Sequence, residues 1–408
     1  MVINYPIFMP DHIDLSTYRQ QFPALNNKLY FNYGGQGVMP RVAEAAIIQS
    51  YEYLQQIGPF SGEGDAWITR ECAKTRACIA SELGVKAENI ALTESTTFGC
   101  NIPLWGIDWQ PGDHLLLSDC EHQGVVAAVA EISRRFQVEV SMCKFWGLTS
   151  DADFLATISS HLRPTTRLIV LSHVLWNTGQ LLPLADIVQL CRQYPSHHPV
   201  RILVDAAQSV GVLPLNLAEI GVDFYAFTGH KWWCGPEGVG AVYIHPEAMA
   251  DLHPVFIGWR GVVVTETGEI VGFKADARRF EVATSAYPIY AGWRESVNLH
   301  HEWGSPSDRY HRIRHLSQYL WQKLAQLSGI QCLLSTPPES GLISFQIDQK
   351  YLQAGATHTA LVKSLESQNI MLRTIRYPDC ARACVHYFTL ESEIDQLVEA
   401  IKTILPSL

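Results

Sequence analysis

The sequence predicts an α/β fold: a large, mainly parallel sheet with helices on both faces, and a smaller α+β domain at the C-terminal end. Three observations carry that expectation. Through the middle of the chain, short apolar runs alternate with stretches of helical period. Those runs are almost continuously apolar, as strands covered on both faces are. From about residue 300 the texture changes to one long helical stretch followed by short strands and interleaved helices.

The elements follow in order. "HLLLSD" (114–119) reads as a strand and "VVAAVAEISRRF" (125–136) as an amphipathic helix. "RLIVLSH" (167–173) is a strand and "LADIVQLCRQY" (184–194) a helix. "RILVDAA" (201–207), "VDFYAFTG" (222–229) and "GVGAVYIH" (238–245) are further strands, the last close enough to its predecessor to run antiparallel. Beyond them, "SDRYHRIRHLSQYLWQKLAQL" (307–327) reads as a long helix. It leads to strands at "GLISFQI" (341–347), "NIMLRTI" (369–375) and "CVHYFT" (384–389), with helices at 358–368 and 391–405. The expected division is an N-terminal segment 1–30 packing on the small domain, a large domain 31–300 and a small domain 301–408.

The 408 residues are 47% apolar and 17% charged, enough to fill a sizeable core. The net charge of −10 comes without any basic run, which argues against nucleic acid and anionic membranes as partners. The first twenty residues lack the pattern of a secretory signal and no apolar stretch is long enough for a bilayer span, so the cytoplasm is the expected location. The ten cysteines include no C-x-x-C pair, so no metal site is expected, and most read as reduced, buried small hydrophobes.

Polar residues gather where the predicted strands end. His122, Asn177, Asp205 with Gln208, and Thr228 with His230 and Lys231 all follow an apolar run. In open α/β sheets ligands sit outside the carboxyl ends of the strands, so these groups are expected in one crevice. "TESTTFGCN" (93–101) looks like a capped helix start able to hold a phosphate. A lysine that condenses with an aldehyde, a carboxylate for a ring nitrogen, an imidazole to stack on a flat ring and a phosphate cradle are the parts needed for pyridoxal 5′-phosphate. Taken singly, each has an ordinary alternative. Lys231 can be a solvated lysine, Asp205 and Thr96 or Thr97 helix caps, His122 a structural histidine and Arg382 an ion-pair partner.

The stretch "VDAAQSVG…VDFYAFTGHKWWCGPEGVGAVYI" resembles the signature of class V of the fold-type I pyridoxal-phosphate enzymes. "YFNYGGQGVMP" (30–40) and "RACVHYFTLESEIDQLVEAI" (382–401) extend the resemblance over nearly the whole chain. Within that group "LWGIDWQPGD", "SDCEHQG", "LSHVLWNTGQ", "RFEVATSAYP" and "LRTIRYPDCARACVHY" are similar to the cyst(e)ine C–S lyases. The resemblance implies a homodimer and a set of roles. Lys231 would carry the cofactor and then move the substrate's α-proton. Asp205 would pair with the pyridine nitrogen, Gln208 with the phenolic oxygen, and His122 would stack on the ring. Thr96, Thr97, Thr228 and His230 would hold the phosphate, joined by Thr284 from the neighbouring subunit. Asn177 and Arg382 would bind the substrate carboxylate, and Arg373 the far end of a larger substrate such as cystine.

The reaction this implies is β-elimination from L-cystine or L-cysteine, giving pyruvate, ammonia and sulfide or persulfide, with iron–sulfur cluster supply as one use of the sulfur and a persulfide acceptor as a further partner. A desulfurase needs a thiolate on a mobile loop. In "RTIRYPDCARAC" Cys380 is the one plausible substitute for that thiolate, with Pro378 and Asp379 stiffening the turn. The alternatives are a desulfurase using Cys380, another class V activity such as epimerisation, and a silent scaffold that keeps the fold for binding.

Overall fold

The computed structural model describes residues 14–408. The described part of the expected 1–30 segment holds helix α1 (Leu15–Arg19), a short 3-10 turn (Pro23–Asn26) and strand β1 (Leu29–Tyr30), while residues 1–13 lie outside the described residues. Two long helices follow, α2 (Arg41–Ile57) and α3 (Gly62–Leu83). The large sheet then forms from seven strands: β2 (Ile90–Thr93), β3 (His114–Ser118), β4 (Glu139–Cys143), β5 (Thr166–Ser172), β6 (Arg201–Asp205), β7 (Phe224–Thr228) and β8 (Gly240–Ile244). Their order is β2-β8-β7-β6-β5-β3-β4. Only β8 opposes its neighbours, pairing antiparallel with both β7 and β2.

Alternation along these strands builds a core on each face. Leu115, Leu117, Leu168, Val170, Leu203, Phe224 and Ala226 pack against α4 (Thr96–Gly106) and α5 (Gln123–Phe136). Leu116, Ile169, Leu171, Val204, Tyr225 and Phe227 face α3, α6 (Asp151–His161) and α7 (Leu184–Gln193). Every residue of β3, β6 after its first, and β7 is buried, which is why these runs carry no polar alternation.

An exposed hairpin, β9 (Val262–Val264) and β10 (Ile270–Phe273), leads to the helix Tyr287–Trp303, which packs on α2 and α3. The helix Pro306–Ala325 instead covers a four-stranded antiparallel sheet, so the two lobes meet between residues 303 and 306. That sheet runs β11 (Ile330–Cys332), β12 (Leu342–Ile347), β15, β14, while β13 (Ile370–Met371) pairs in parallel with β1. Strand β14 spans Arg373–Arg376 and β15 Asp379–Cys384. Leu15, Tyr18 and Phe22 pack with Trp303, Tyr387 and Phe388 across the lobes.

Two sequence expectations are corrected. The run "CVHYFT" is not a strand; the pairing residues are the preceding "DCARAC", which bond to β12 on one side and β14 on the other. Val385, Tyr387 and Phe388 are apolar because they are buried in the connection. "NIMLRTI" is two short strands divided at Leu372, one pairing with β1 and one with β15. Among the described residues no helix is long and apolar enough to cross a membrane.

Candidate active site

Five sequence segments deliver side chains to the carboxyl ends of the large-sheet strands. After β2, Ser95 caps α4, its hydroxyl accepting the Phe98 N–H at 3.1 Å, and exposes Thr96 and Thr97 in the first turn. After β3, His122 caps α5, with Nδ1 accepting the Gly124 N–H at 3.2 Å. Strand β5 ends in Ser172 and is followed by Val174 and Trp176. Strand β6 ends in Asp205, whose Oδ1 accepts the Ala207 N–H at 3.0 Å. Strand β7 ends in Thr228, two and three residues before His230 and Lys231. All of these, with Gln208, Gly34, Gly35, Arg373 and Arg382, line one cavity of about 270 Å³ between the lobes.

Lys231 is half-buried there, and loss of hydration pushes its amine down to about 8 despite the opposing pull of Asp205; Arg382 and Arg373 lower it further. A larger neutral fraction at physiological pH makes it a better nucleophile than a solvated lysine. Its neighbour His230 is pushed down to about 4 by burial and then by Lys231, so it is neutral. The Thr228 hydroxyl lies 3.0 Å from the Val239 carbonyl and 2.6 Å from His230 Nδ1. Gln208 donates from Nε2 to the Gly34 carbonyl (2.8 Å) and accepts from Trp232 Nε1 (2.9 Å), which fixes its amide between the N-terminal loop and the lysine loop.

Two features ask for anions. The Thr96 hydroxyl is buried at the N-terminus of α4 with no protein partner, which is costly unless something else supplies one. Arg373 and Arg382 are direct cross-strand neighbours in the β14–β15 pair, and both line the cavity. Like charges placed opposite one another destabilise a sheet. Arg382 is 1% exposed and donates from Nη1 to the Trp176 carbonyl at 2.6 Å, while its Nε has no partner. Burial lowers its pKa, as does Arg373 beside it. A carboxylate between the two guanidinium groups would relieve both costs.

Two sequence candidates stand apart from the crevice lining. Asn177 is buried behind Trp176, donating from Nδ2 to the Tyr377 carbonyl (3.3 Å), while its own carbonyl accepts the Ser344 hydroxyl (2.7 Å). It ties the large lobe to the small sheet. Thr284 is exposed beside a separate cavity lined by Phe98, Phe256, Arg260 and Tyr290. Cys380, the candidate sulfur carrier, is fully buried within β15, and burial pushes its thiol up to about 12.

The crevice also holds residues the sequence did not single out. Trp176 sets its ring edge-on to His122, with centroids 5.9 Å apart. Glu121 lies beneath, accepting from the Ser118 hydroxyl (2.5 Å), the Ser172 N–H (3.1 Å) and the Ser172 hydroxyl (2.8 Å). Burial pushes its carboxyl up to about 7, an effect those three hydrogen bonds only partly offset. The available signal was the run "SDCEH", in which Glu121 follows the end of β3 and directly precedes His122.

The family of sequences described as aminotransferase class-V matches residues 32–397. A solved complex of the cystine C-S lyase C-DES with its reaction product cysteine persulfide is 46% identical, with a TM-score of 0.90, covering 94% of this chain and 99% of that one. A mutant of C-DES with glycine covalently linked to the PLP cofactor is 45% identical, with a TM-score of 0.90 and coverage of 94% and 98%. The isopenicillin N epimerase of Streptomyces clavuligerus is 27% identical over 386 residues, 91% of this chain and 93% of the epimerase. A probable cysteine desulfurase of Mycolicibacterium paratuberculosis is 26% identical over 95% of this chain, and the chain spans 56% of that relative's length.

Proposed function

The chain belongs to the class-V aminotransferase family, and on that premise we propose that it is a pyridoxal 5′-phosphate-dependent carbon–sulfur lyase. It cleaves L-cystine or L-cysteine by β-elimination to pyruvate, ammonia and cysteine persulfide or sulfide. The observation that carries this reading is a crevice built around Lys231 in which the one candidate sulfur carrier, Cys380, is locked in a strand with its thiol protonated. Elimination needs no enzyme thiol, whereas desulfuration does. The likeness to C-DES supports the same choice.

The residues fit the cofactor. The partnerless Thr96 hydroxyl, with Thr97, Thr228 and His230, would hold its phosphate at the start of α4. Lys231 would bind its aldehyde carbon, Asp205 keep its ring nitrogen protonated, Gln208 meet its phenolic oxygen and His122 lie on its face. When bound, it supplies the electron sink that makes the substrate's α-proton acidic. Arg382 takes the α-carboxylate of the substrate, and Arg373 reaches the second carboxylate of cystine. Lys231 would then take the proton from Cα, and the sulfur would leave Cβ with the electron pair of the broken bond. Asn177 holds the Trp176–Tyr377 boundary of that carboxylate site.

The reading includes a cytoplasmic homodimer in which Thr284 reaches the partner's phosphate site. Phe256, Ile257, Trp259, Ile270 and Val271, near Thr284 in the chain, are exposed apolar residues, as an interface between copies requires. The released sulfur suits iron–sulfur cluster assembly through a persulfide acceptor.

Product analysis of the reconstituted protein tests the reaction. Pyruvate and ammonia from cystine, undiminished in Cys380→Ala, are expected. Alanine as product, with a protein persulfide lost in Cys380→Ala, would establish a desulfurase instead.

A further inference from the structure

Five successive carbonyls, Gly229 to Trp233, frame Lys231, and each accepts a hydrogen bond from a defined donor. Gly229 accepts from the Gly235 N–H (2.9 Å), His230 from the Gly37 N–H (2.7 Å) and Lys231 from the Cys234 N–H (3.0 Å). The two carbonyls after the lysine are met by imidazoles. Trp232 accepts from His386 Nε2 at 2.8 Å, with only a long Cys234 Sγ contact of 3.9 Å besides. Trp233 accepts from His300 Nε2 at 2.9 Å and from the Ser296 hydroxyl at 2.5 Å.

The other nitrogen of each ring fixes its tautomer. His386 Nδ1 accepts the Tyr387 backbone N–H at 3.1 Å, so its proton is on Nε2, facing Trp232. His300 Nε2 faces a carbonyl, which only accepts, so Nε2 carries the proton and Nδ1 accepts from the Tyr387 hydroxyl 2.5 Å away; that hydroxyl lies 2.5 Å from Tyr18 of α1. Both rings are buried and stacked, 5.5 Å apart at 26°. Burial pushes both pKa values down, His300 to about 3, so both are neutral donors at working pH. The loop needs holding: Cys234 has φ +53°, a left-handed conformation that few residues other than glycine adopt. Trp232 is gripped twice, by His386 at its carbonyl and by the crevice residue Gln208 at its indole N–H.

We propose that His386, seconded by His300, is a positioning residue for Lys231: its Nε2–H fixes the carbonyl next to the lysine and ties the aim of the amine to the seating of the small lobe and α1. This rests on the use of Lys231 proposed above.

The test compares His386→Phe with His386→Gln. The first keeps a flat ring in the stack with Phe388 (4.2 Å) and Trp232 (5.9 Å) but removes the donor; the second restores an N–H. Apoprotein uptake of pyridoxal 5′-phosphate, the pH midpoint of the visible absorbance and kcat and KM are read together. His386→Phe is expected to take up the cofactor more slowly, shift the midpoint, and lose about tenfold or more in kcat with KM nearly unchanged. His386→Gln is expected to recover most of the kcat and the wild-type midpoint. A folded His386→Phe matching wild type in all three, or a His386→Gln equally impaired, overturns the proposal. Should His386→Phe not fold, Tyr387→Phe removes only the hydroxyl that sets the His300 tautomer; a wild-type midpoint and kcat there would sink it as well. Wild-type protein that takes up no cofactor would overturn the proposed function, and this inference with it, a result distinct from a silent variant.

Discussion

Gly37→Ala should cripple the enzyme through its lysine while leaving a folded protein. The Gly37 N–H donates to the His230 carbonyl at 2.7 Å, which brings this N-terminal loop flat against the lysine loop. A Cβ at Gly37 would stand 2.1 Å from the Lys231 carbonyl oxygen, 2.8 Å from Cys234 Sγ and 2.9 Å from Cys234 Cα. Comfortable contact begins near 3.5 Å, so the two segments must separate by about 1.4 Å. The lysine loop has little room to give, because the same carbonyl also accepts the Cys234 N–H. A displacement of this size at a reacting group costs about a hundredfold in kcat/KM, and the overpacking costs about 1–3 kcal/mol in stability. The control is Gly112→Ala, where φ is +88° and nothing lies within 4 Å of the new Cβ. It should lose about 1 kcal/mol from backbone strain alone. Steady-state turnover of cystine and thermal melts of both reconstituted variants decide the matter. Should Gly37→Ala turn over within about twofold of Gly112→Ala, the lysine loop is not held as described.

The apoprotein's Lys231 amine, at about 8, should make the rate of cofactor capture rise with pH through about 8 and level off above it; Asp205→Asn removes the group that most raises this value and should move the midpoint lower. A midpoint near the 10.4 of a free lysine would refute the desolvated site. Glu82 is pushed up by burial, but its hydrogen bond to His301 and its pair with Arg309 (2.7 Å) bring it to about 2. Because the folded pKa is depressed, its stabilisation is present above the unfolded value and is lost as pH falls from about 5 to about 2, up to about 3 kcal/mol. Glu82→Gln should flatten the melting temperature against pH in that window and leave a protein less stable at neutral pH. Thr284→Ala should weaken cofactor retention on dialysis without changing the mass seen by light scattering; unchanged retention would remove Thr284 from the phosphate site.

The strand ends were legible because a parallel sheet imposes a strong pattern: apolar runs with a polar residue at the C-terminal end, and the crevice lies where those ends meet. Asp205, Thr228 and Lys231 are therefore read off the sequence with their neighbours. Helix α3 hides itself for the opposite reason. Its buried face carries Glu71, Arg76 and Glu82, each paired with a distant residue, namely Arg294, Glu281 and Arg309. Charges on an inward face erase the apolar stripe that marks a helix in sequence. "CVHYFT" misleads similarly: aromatic and branched residues signal burial, and only the pairing partners decide whether burial means a strand. His386 was least legible of all. Its partner is the Trp232 carbonyl, 154 residues away, and a carbonyl is common to every residue. What a sequence can reveal is chemistry borne by side chains that gather at an element's end. The aim proposed for Lys231 also depends on donors to the carbonyls of its loop, such as His386 and the Gly37 N–H, and these act beside crevice residues such as Asp205 and Gln208.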